Sequence, residues 1–156
     1  MKYLNQYRVR WWTSAFFQIL LFAAAYLPTV TLVGTQSSAF GLDKVSQSAL
    51  WYLSNAGFPI IYNVILILYA VLSLPLIIFG FNRELKRVFI MIAAVTDMVY
   101  MLLHSLLTVF IYDLGATGDF AILTTFTIWF WVYLLVQTLQ IVHLFMLYIQ
   151  IKKARV

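Results

Sequence analysis

The residue most able to do chemistry is Asp97, which lies within a long uncharged stretch. The segments 88–96 and 98–112 on either side of it contain no Lys, Arg, Asp or Glu. A carboxylate at the centre of a bilayer costs roughly 2.5–3.5 kcal/mol on insertion scales, so it must face a bundle interior, be protonated or have a partner. His104 follows seven residues later, about two helical turns on and nearly on the same face. This spacing predicts a proton or cation site formed by Asp97 and His104.

Four further polar residues are expected to support this site. Tyr100 borders the face that Asp97 and His104 share. A second polar set nearer the C-terminus comprises Gln137, Thr138 and Gln140. If the two helices form an antiparallel hairpin, Asp97 lies at about the depth of the first two of these residues, with the third one turn deeper. Polar side chains also commonly link transmembrane helices, so the alternative is a network that fixes packing or contacts another subunit.

Metal, haem and familiar catalytic sites are not expected. His104 and His143 would differ in depth by about 20 Å at 1.5 Å of rise per residue, so they cannot share one haem or metal ion. The chain has no cysteine, no HExxH sequence, no carboxylate cluster and no glycine-rich phosphate loop. We therefore predict no metal, no cofactor and no catalytic constellation of a known type.

Composition and charge placement predict the elements that position Asp97. Hydrophobic residues make up 64% of the chain and charged residues 10%, against about 25% charged in soluble domains. Except for Asp97, the charges lie at or near the ends of apolar blocks long enough to cross a bilayer. The pattern predicts an all-α integral membrane protein, a multi-pass bundle of four transmembrane helices in a single domain over residues 1–156. The predicted spans are about 11–33, 58–81, 88–112 and 121–151.

The basic residues predict the orientation of the bundle. Nine of them fall on one side of the predicted membrane: Lys2, Arg8, Arg10, Arg83, Lys86, Arg87, Lys152, Lys153 and Arg155. Only Lys44 falls on the other side. By the positive-inside rule both termini are cytoplasmic, and we expect the plasma membrane as the location. The formal net charge of +5 is thus interpreted as a topology signal facing anionic lipid, not as a nucleic-acid surface.

The first outer segment is predicted to contain a short amphipathic helix. Asp43 could cap a helix from Lys44 to about Leu53. An apolar stripe would then lie on one side of it, formed by Val45, Ala49, Tyr52 and Leu53. Such a helix would lie on the membrane surface or cover the outer end of the bundle. An ordinary ordered loop is the alternative.

Three functions fit this sequence, since a fold alone does not determine function. The first is a non-catalytic subunit or accessory protein of a larger membrane complex, which agrees with the missing catalytic motifs and the extensive apolar surface. The second is a small oligomeric proton- or cation-coupled transporter or channel that uses Asp97 and His104. The third is a lipid- or quinone-handling enzyme. Expected partners are the lipid bilayer and either other membrane subunits or further copies of the chain, with no nucleic acid.

Overall fold

The computed structural model describes residues 2–33, 44–55, 58–79, 86–117 and 123–153. Most of these residues are helical, as the apolar blocks predict, but three short strands were not expected. In chain order the elements are α1 (Lys2–Ala24), β1 (Val30–Val33), β2 (Lys44–Gln47), α2 (Ala49–Asn55), α3 (Pro59–Ile78), α4 (Arg87–Thr117), β3 (Leu123–Phe126) and α5 (Ile128–Lys153).

Three of the described helices are long and apolar enough to cross a membrane. They are Pro59–Ile78, Arg87–Leu114 and Ile128–Lys153, with mean hydropathies of 2.4, 1.8 and 1.8. Their outward faces carry large apolar side chains, for example Ile60 at 78% and Leu106 at 66% exposure. Apolar surface of this extent is unfavourable in water and is solvated well by lipid. The structure therefore indicates an integral membrane protein. α1 packs against α3 and α5 beside these helices.

The strands form one antiparallel sheet in the order β2-β1-β3. β1 lies in the middle, where Val30 pairs with Gln47 of β2 and with Phe126 of β3. β1 follows α1 and β3 precedes α5. The sheet therefore pairs the segment after the first long helix with the segment before the last one. The sheet and α2 lie at one end of the bundle, which we call the outer end. The opposite end, where α1 begins and α5 finishes with Lys152 and Lys153, is called the basic end.

The strands replace the outer parts of two predicted spans. α1 begins at Lys2 and finishes at Ala24, whereas the predicted range 11–33 continues to the residues of β1. Pro28 explains the difference, because proline lacks an N–H donor and disfavours a helical conformation in the residue before it. The β-branched residues of β1 and β3 then favour extended backbone. α5 likewise begins at Ile128, after β3, and not near residue 121.

A short helix does follow the first outer strands, but it begins at Ala49 and not at Lys44. Residues 44–47 are instead paired with β1. Ser48 caps the helix, since its Oγ accepts the backbone N–H of Trp51 at 3.1 Å. The predicted cap, Asp43, lies outside the described residues. The buried residues of α2 are Ala49, Leu50, Tyr52 and Leu53. This helix therefore covers the outer end of the bundle, which is one of its two predicted positions.

Candidate functional site

Asp97 is held by one turn of α5. Its side chain is 1% exposed. Oδ1 accepts an N–H from Nε2 of Gln137 at 2.8 Å, and Oδ2 accepts an N–H from Nε2 of Gln140 at 2.8 Å. The two glutamines are three residues apart, so they lie on the same face of α5 and can reach both oxygens of one carboxylate.

The hydrogen bonds continue from Asp97 into the two remaining long helices. Nε2 of Gln140 also donates to Oε1 of Gln18 in α1 at 2.8 Å. Nε2 of Gln18 donates in turn to Oγ of Ser73 in α3 at 3.2 Å. We call these five residues the polar layer: Gln18, Ser73, Asp97, Gln137 and Gln140. All five are buried, and the layer connects α1, α3, α4 and α5 through their side chains.

Small side chains allow the helices to approach at this level. Ala15 of α1 lies one turn before Gln18, and Ala93 and Ala94 of α4 lie one turn before Asp97. All three alanines are buried in the same apolar cluster, on the side of the polar layer toward the basic end. Small residues at helix contacts let backbones come close together in membranes. This close approach brings the short side chain of Asp97 within reach of two amides on α5.

Within the described residues both donors to the Asp97 oxygens are amides, so the polar layer itself brings no positive charge to the carboxylate. Burial penalises the ionised carboxylate, and the two N–H donors offset only part of that penalty. The Oε1 atoms of Gln137 and Gln140 are buried and have no hydrogen-bond partner within the described residues. A buried acceptor without a donor costs about 1–3 kcal/mol. A protonated Asp97 could donate to one of these oxygens after that amide rotates, so the layer can hold a proton.

His104 belongs to a neighbouring aromatic cluster and not to the polar layer. Its Nδ1 lies 2.9 Å from the hydroxyl oxygen of Tyr69, and its ring centroid is 4.0 Å from that of Tyr133. Tyr69 also packs on Tyr100, with ring centroids 4.6 Å apart. His104 is fully buried, and its Nε2 has no hydrogen-bond partner in the described part of the chain. We call Tyr69, Tyr100, His104 and Tyr133 the aromatic cluster.

The two groups of residues meet at α3. The hydroxyl of Ser73, in the polar layer, donates to the backbone oxygen of Tyr69, in the aromatic cluster, at 2.9 Å. Along α4 the face runs from Asp97 through Tyr100 to His104. Asp97 and His104 therefore lie at successive depths along α4 and have different hydrogen-bond partners among the described residues.

A groove follows the contact between α1 and α5. Its middle cavity has a volume of about 280 Å³ and is lined by Ser14, Phe17 and Gln140, among others. A second cavity of about 320 Å³ lies toward the basic end and is lined by Arg10 and Gln150. A third, of about 160 Å³, lies toward the outer end and is lined by apolar side chains. The adjoining cavities share lining residues, so we call them together the α1–α5 groove.

The structure separates the residues predicted for the site. Gln137 and Gln140 contact Asp97, as expected. Thr138 is exposed and donates to the backbone oxygen of Leu134 at 2.7 Å and to Met101 Sδ at 3.8 Å. Tyr100 joins the aromatic cluster, as described above. The sequence alone did not identify Gln18, Ser73 and Tyr69 as contacts, although the first two are polar residues inside apolar segments and that signal was available.

Comparisons with known proteins do not extend this description. Among the described residues, no group of three or more His, Cys, Asp or Glu side chains could hold a metal ion. No protein-family model, curated protein or solved structure matches this chain.

Proposed function

We propose that this chain is a non-catalytic integral membrane subunit, or accessory protein, of a larger membrane complex. The polar layer is the observation that supports this proposal. Its hydrogen bonds occupy both oxygens of Asp97 with side chains of the same chain and connect all four long helices. A carboxylate used in this way fixes the rotation of each helix about its own axis and thereby defines the outer surface that a partner would contact.

In this proposal all four long helices cross the membrane, and both termini are cytoplasmic, in the plasma membrane. The support is the basic residues at one end of the bundle, including Lys152 and Lys153 in the last turn of α5. α1 is 23 residues long and packs against two membrane-spanning candidates. Partners would then meet the bundle through its lipid-facing apolar sides or through the outer sheet.

The proposal is tested by isolating the protein at native expression in gentle detergent or nanodiscs and measuring the mass of the intact assembly. Membrane proteins that co-purify in fixed stoichiometry with the unaltered chain are the expected result. Asp97→Leu should reduce this co-purification, because Gln137 and Gln140 each lose one acceptor, whereas Asp97→Asn should preserve it. A homo-oligomer without any partner would contradict the subunit proposal.

A second candidate function is a small oligomeric proton- or cation-coupled transporter or channel that uses Asp97 and His104. The observation that favours it is the α1–α5 groove, since Gln140 both lines the middle cavity and donates to Asp97 Oδ2. The groove therefore comes within one hydrogen bond of the Asp97 carboxylate. In reconstituted vesicles, Asp97→Asn would then abolish proton or cation flux while the protein still folds. Undiminished flux in the Asp97→Asn protein would eliminate this candidate.

A further inference from the structure

We propose that the α1–α5 groove binds an anionic phospholipid, with the lipid phosphate at Arg10 and one acyl chain lying along the groove. This ligand site is independent of whether the chain is a subunit or a transporter. The groove is polar and basic toward one end and apolar toward the other, which is the distribution of polarity in a phospholipid.

The basic end of the groove supplies a cation and hydrogen-bond donors. Arg10 and Gln150 line the cavity here, and Arg10 Nη1 donates to Gln150 Oε1. A guanidinium has five N–H donors in a planar fork, and the contact with Gln150 occupies one of them within the described residues. Arginine binds phosphate well because this fork matches the spacing of two phosphate oxygens. The amide of Gln150 fixes the orientation of the fork toward the cavity.

His143 is a second, independent observation that points to a polar ligand at this level. It lines both the basic-end cavity and the middle cavity. Its Nε2 is buried and has no hydrogen-bond partner within the described residues. One turn deeper, Gln140 also lines the middle cavity, and its Oε1 is buried without a hydrogen-bond partner in the described part of the chain. Buried polar atoms in proteins are nearly always satisfied, and head-group or ester atoms of a lipid would lie at the right depth to do so.

The length of the groove fits one leaflet of a bilayer. From Arg10 to Leu20, α1 rises by about 15 Å, at 1.5 Å per residue. Half of the hydrocarbon core of a bilayer is also about 15 Å. Beyond Ser14 the lining becomes apolar, with Phe17, Leu20 and Val136 in the outer cavity. A lipid whose phosphate lies at Arg10 would therefore place its acyl chain against these residues in the leaflet at the basic end.

The test measures lipid retention by the full chain in nanodiscs that contain phosphatidylglycerol and phosphatidylcholine, read by native mass spectrometry. We expect the unaltered protein to retain phosphatidylglycerol selectively. Arg10→Gln should weaken this retention roughly tenfold or more, the effect expected from losing charge-assisted hydrogen bonds. Arg10→Lys should restore part of it. The matched control is Arg8→Gln, which removes an equal charge from an exposed position that does not line the cavities.

A second pair of variants tests the acyl chain and does not alter charge. Phe17→Trp enlarges a side chain that lines the groove, whereas Phe16→Trp changes an exposed neighbour that does not line it. Only Phe17→Trp should reduce the number of retained lipids. Equal loss from Arg8→Gln and Arg10→Gln would overturn the site, because it would show general attraction to anionic lipid. Equal retention of the two lipids, or no effect of Phe17→Trp, would also overturn it.

Discussion

Replacement of Asp97 by leucine is expected to destabilise the protein and replacement by asparagine is not, although both remove the charge. In Asp97→Leu, the amide of Gln137 loses its 2.8 Å acceptor and retains only the 3.4 Å contact with the backbone oxygen of residue 97. The amide of Gln140 loses one acceptor and retains Gln18. Leucine avoids the cost of the buried carboxylate but cannot accept either N–H.

The magnitude follows from these contacts. Each buried donor left without an acceptor costs about 1–3 kcal/mol, and removal of the buried charge returns roughly the insertion cost of aspartate. The hydrogen bonds to the ionised carboxylate, at about 1.5–3 kcal/mol each, offset that insertion cost in the unaltered protein. Asp97→Leu should therefore lower the free energy of unfolding by about 2 kcal/mol. For a chain of this size that corresponds to a decrease of roughly 4–8 °C in the unfolding midpoint.

Asp97→Asn should be nearly neutral. The asparagine carbonyl can accept from Gln140, and its amide can donate to Gln137 Oε1 once that glutamine rotates, which satisfies an oxygen that otherwise has no partner in the described residues. The assay is thermal unfolding of the purified protein in one detergent, followed by tryptophan fluorescence and by loss of the monodisperse peak. Thr96→Val is the matched control, since Thr96 is the half-buried neighbour and its hydroxyl donates within its own helix, to Ile92 O and Ala93 O. An Asp97→Leu protein as stable as the unaltered one, or more stable than Asp97→Asn, would refute this reasoning.

Three further predictions concern orientation, the aromatic cluster and the outer end. Because the chain lacks cysteine, single variants report sidedness: in intact cells an impermeant maleimide should label Lys44→Cys and leave Lys152→Cys unlabelled. A double-mutant cycle of Tyr69→Phe and His104→Phe should give a coupling free energy of about 0.5–1.5 kcal/mol in thermal unfolding, the range for hydrogen bonds between membrane helices. Leu53→Ala should lower the free energy of unfolding by about 2–5 kcal/mol, because Leu53 of α2 is fully buried at the outer end of the bundle.

Each of these predictions has a control or a contrary outcome. Labelling of Lys152→Cys in intact cells would reverse the predicted orientation. Additive effects of Tyr69→Phe and His104→Phe would mean that their 2.9 Å contact contributes no stability. Leu20→Ala, at a side chain that is 46% exposed, is the control for Leu53→Ala and should have a much smaller effect. Equal destabilisation by the two leucine variants would argue that α2 does not cover a packed core.

Only part of the site could be predicted from the sequence. Asp97 stood out because it was the one charge inside an apolar block, and the antiparallel hairpin of α4 and α5 placed Gln137 and Gln140 at the right depth. The same reasoning could not separate Gln140 from Thr138, two residues apart, because depth along a helix does not give rotation about its axis. That rotation depends on packing against α1, where Oε1 of Gln18 accepts an N–H from Gln140 inside the bundle.

The sequence by itself determined the membrane character, the long helices and the prominence of Asp97, because apolar blocks and an isolated charge are local properties of the chain. Tertiary structure decided where the helices finish and which side chains meet. Thr31 of β1 pairs with Ser46, 15 residues away, and with Thr125, 94 residues away, and no local pattern specifies such partners. Gln18 and Gln140 likewise meet across 122 residues of sequence. Contacts of this range depend on how four helices pack together, since each side chain is buried only when all of its neighbours are in place.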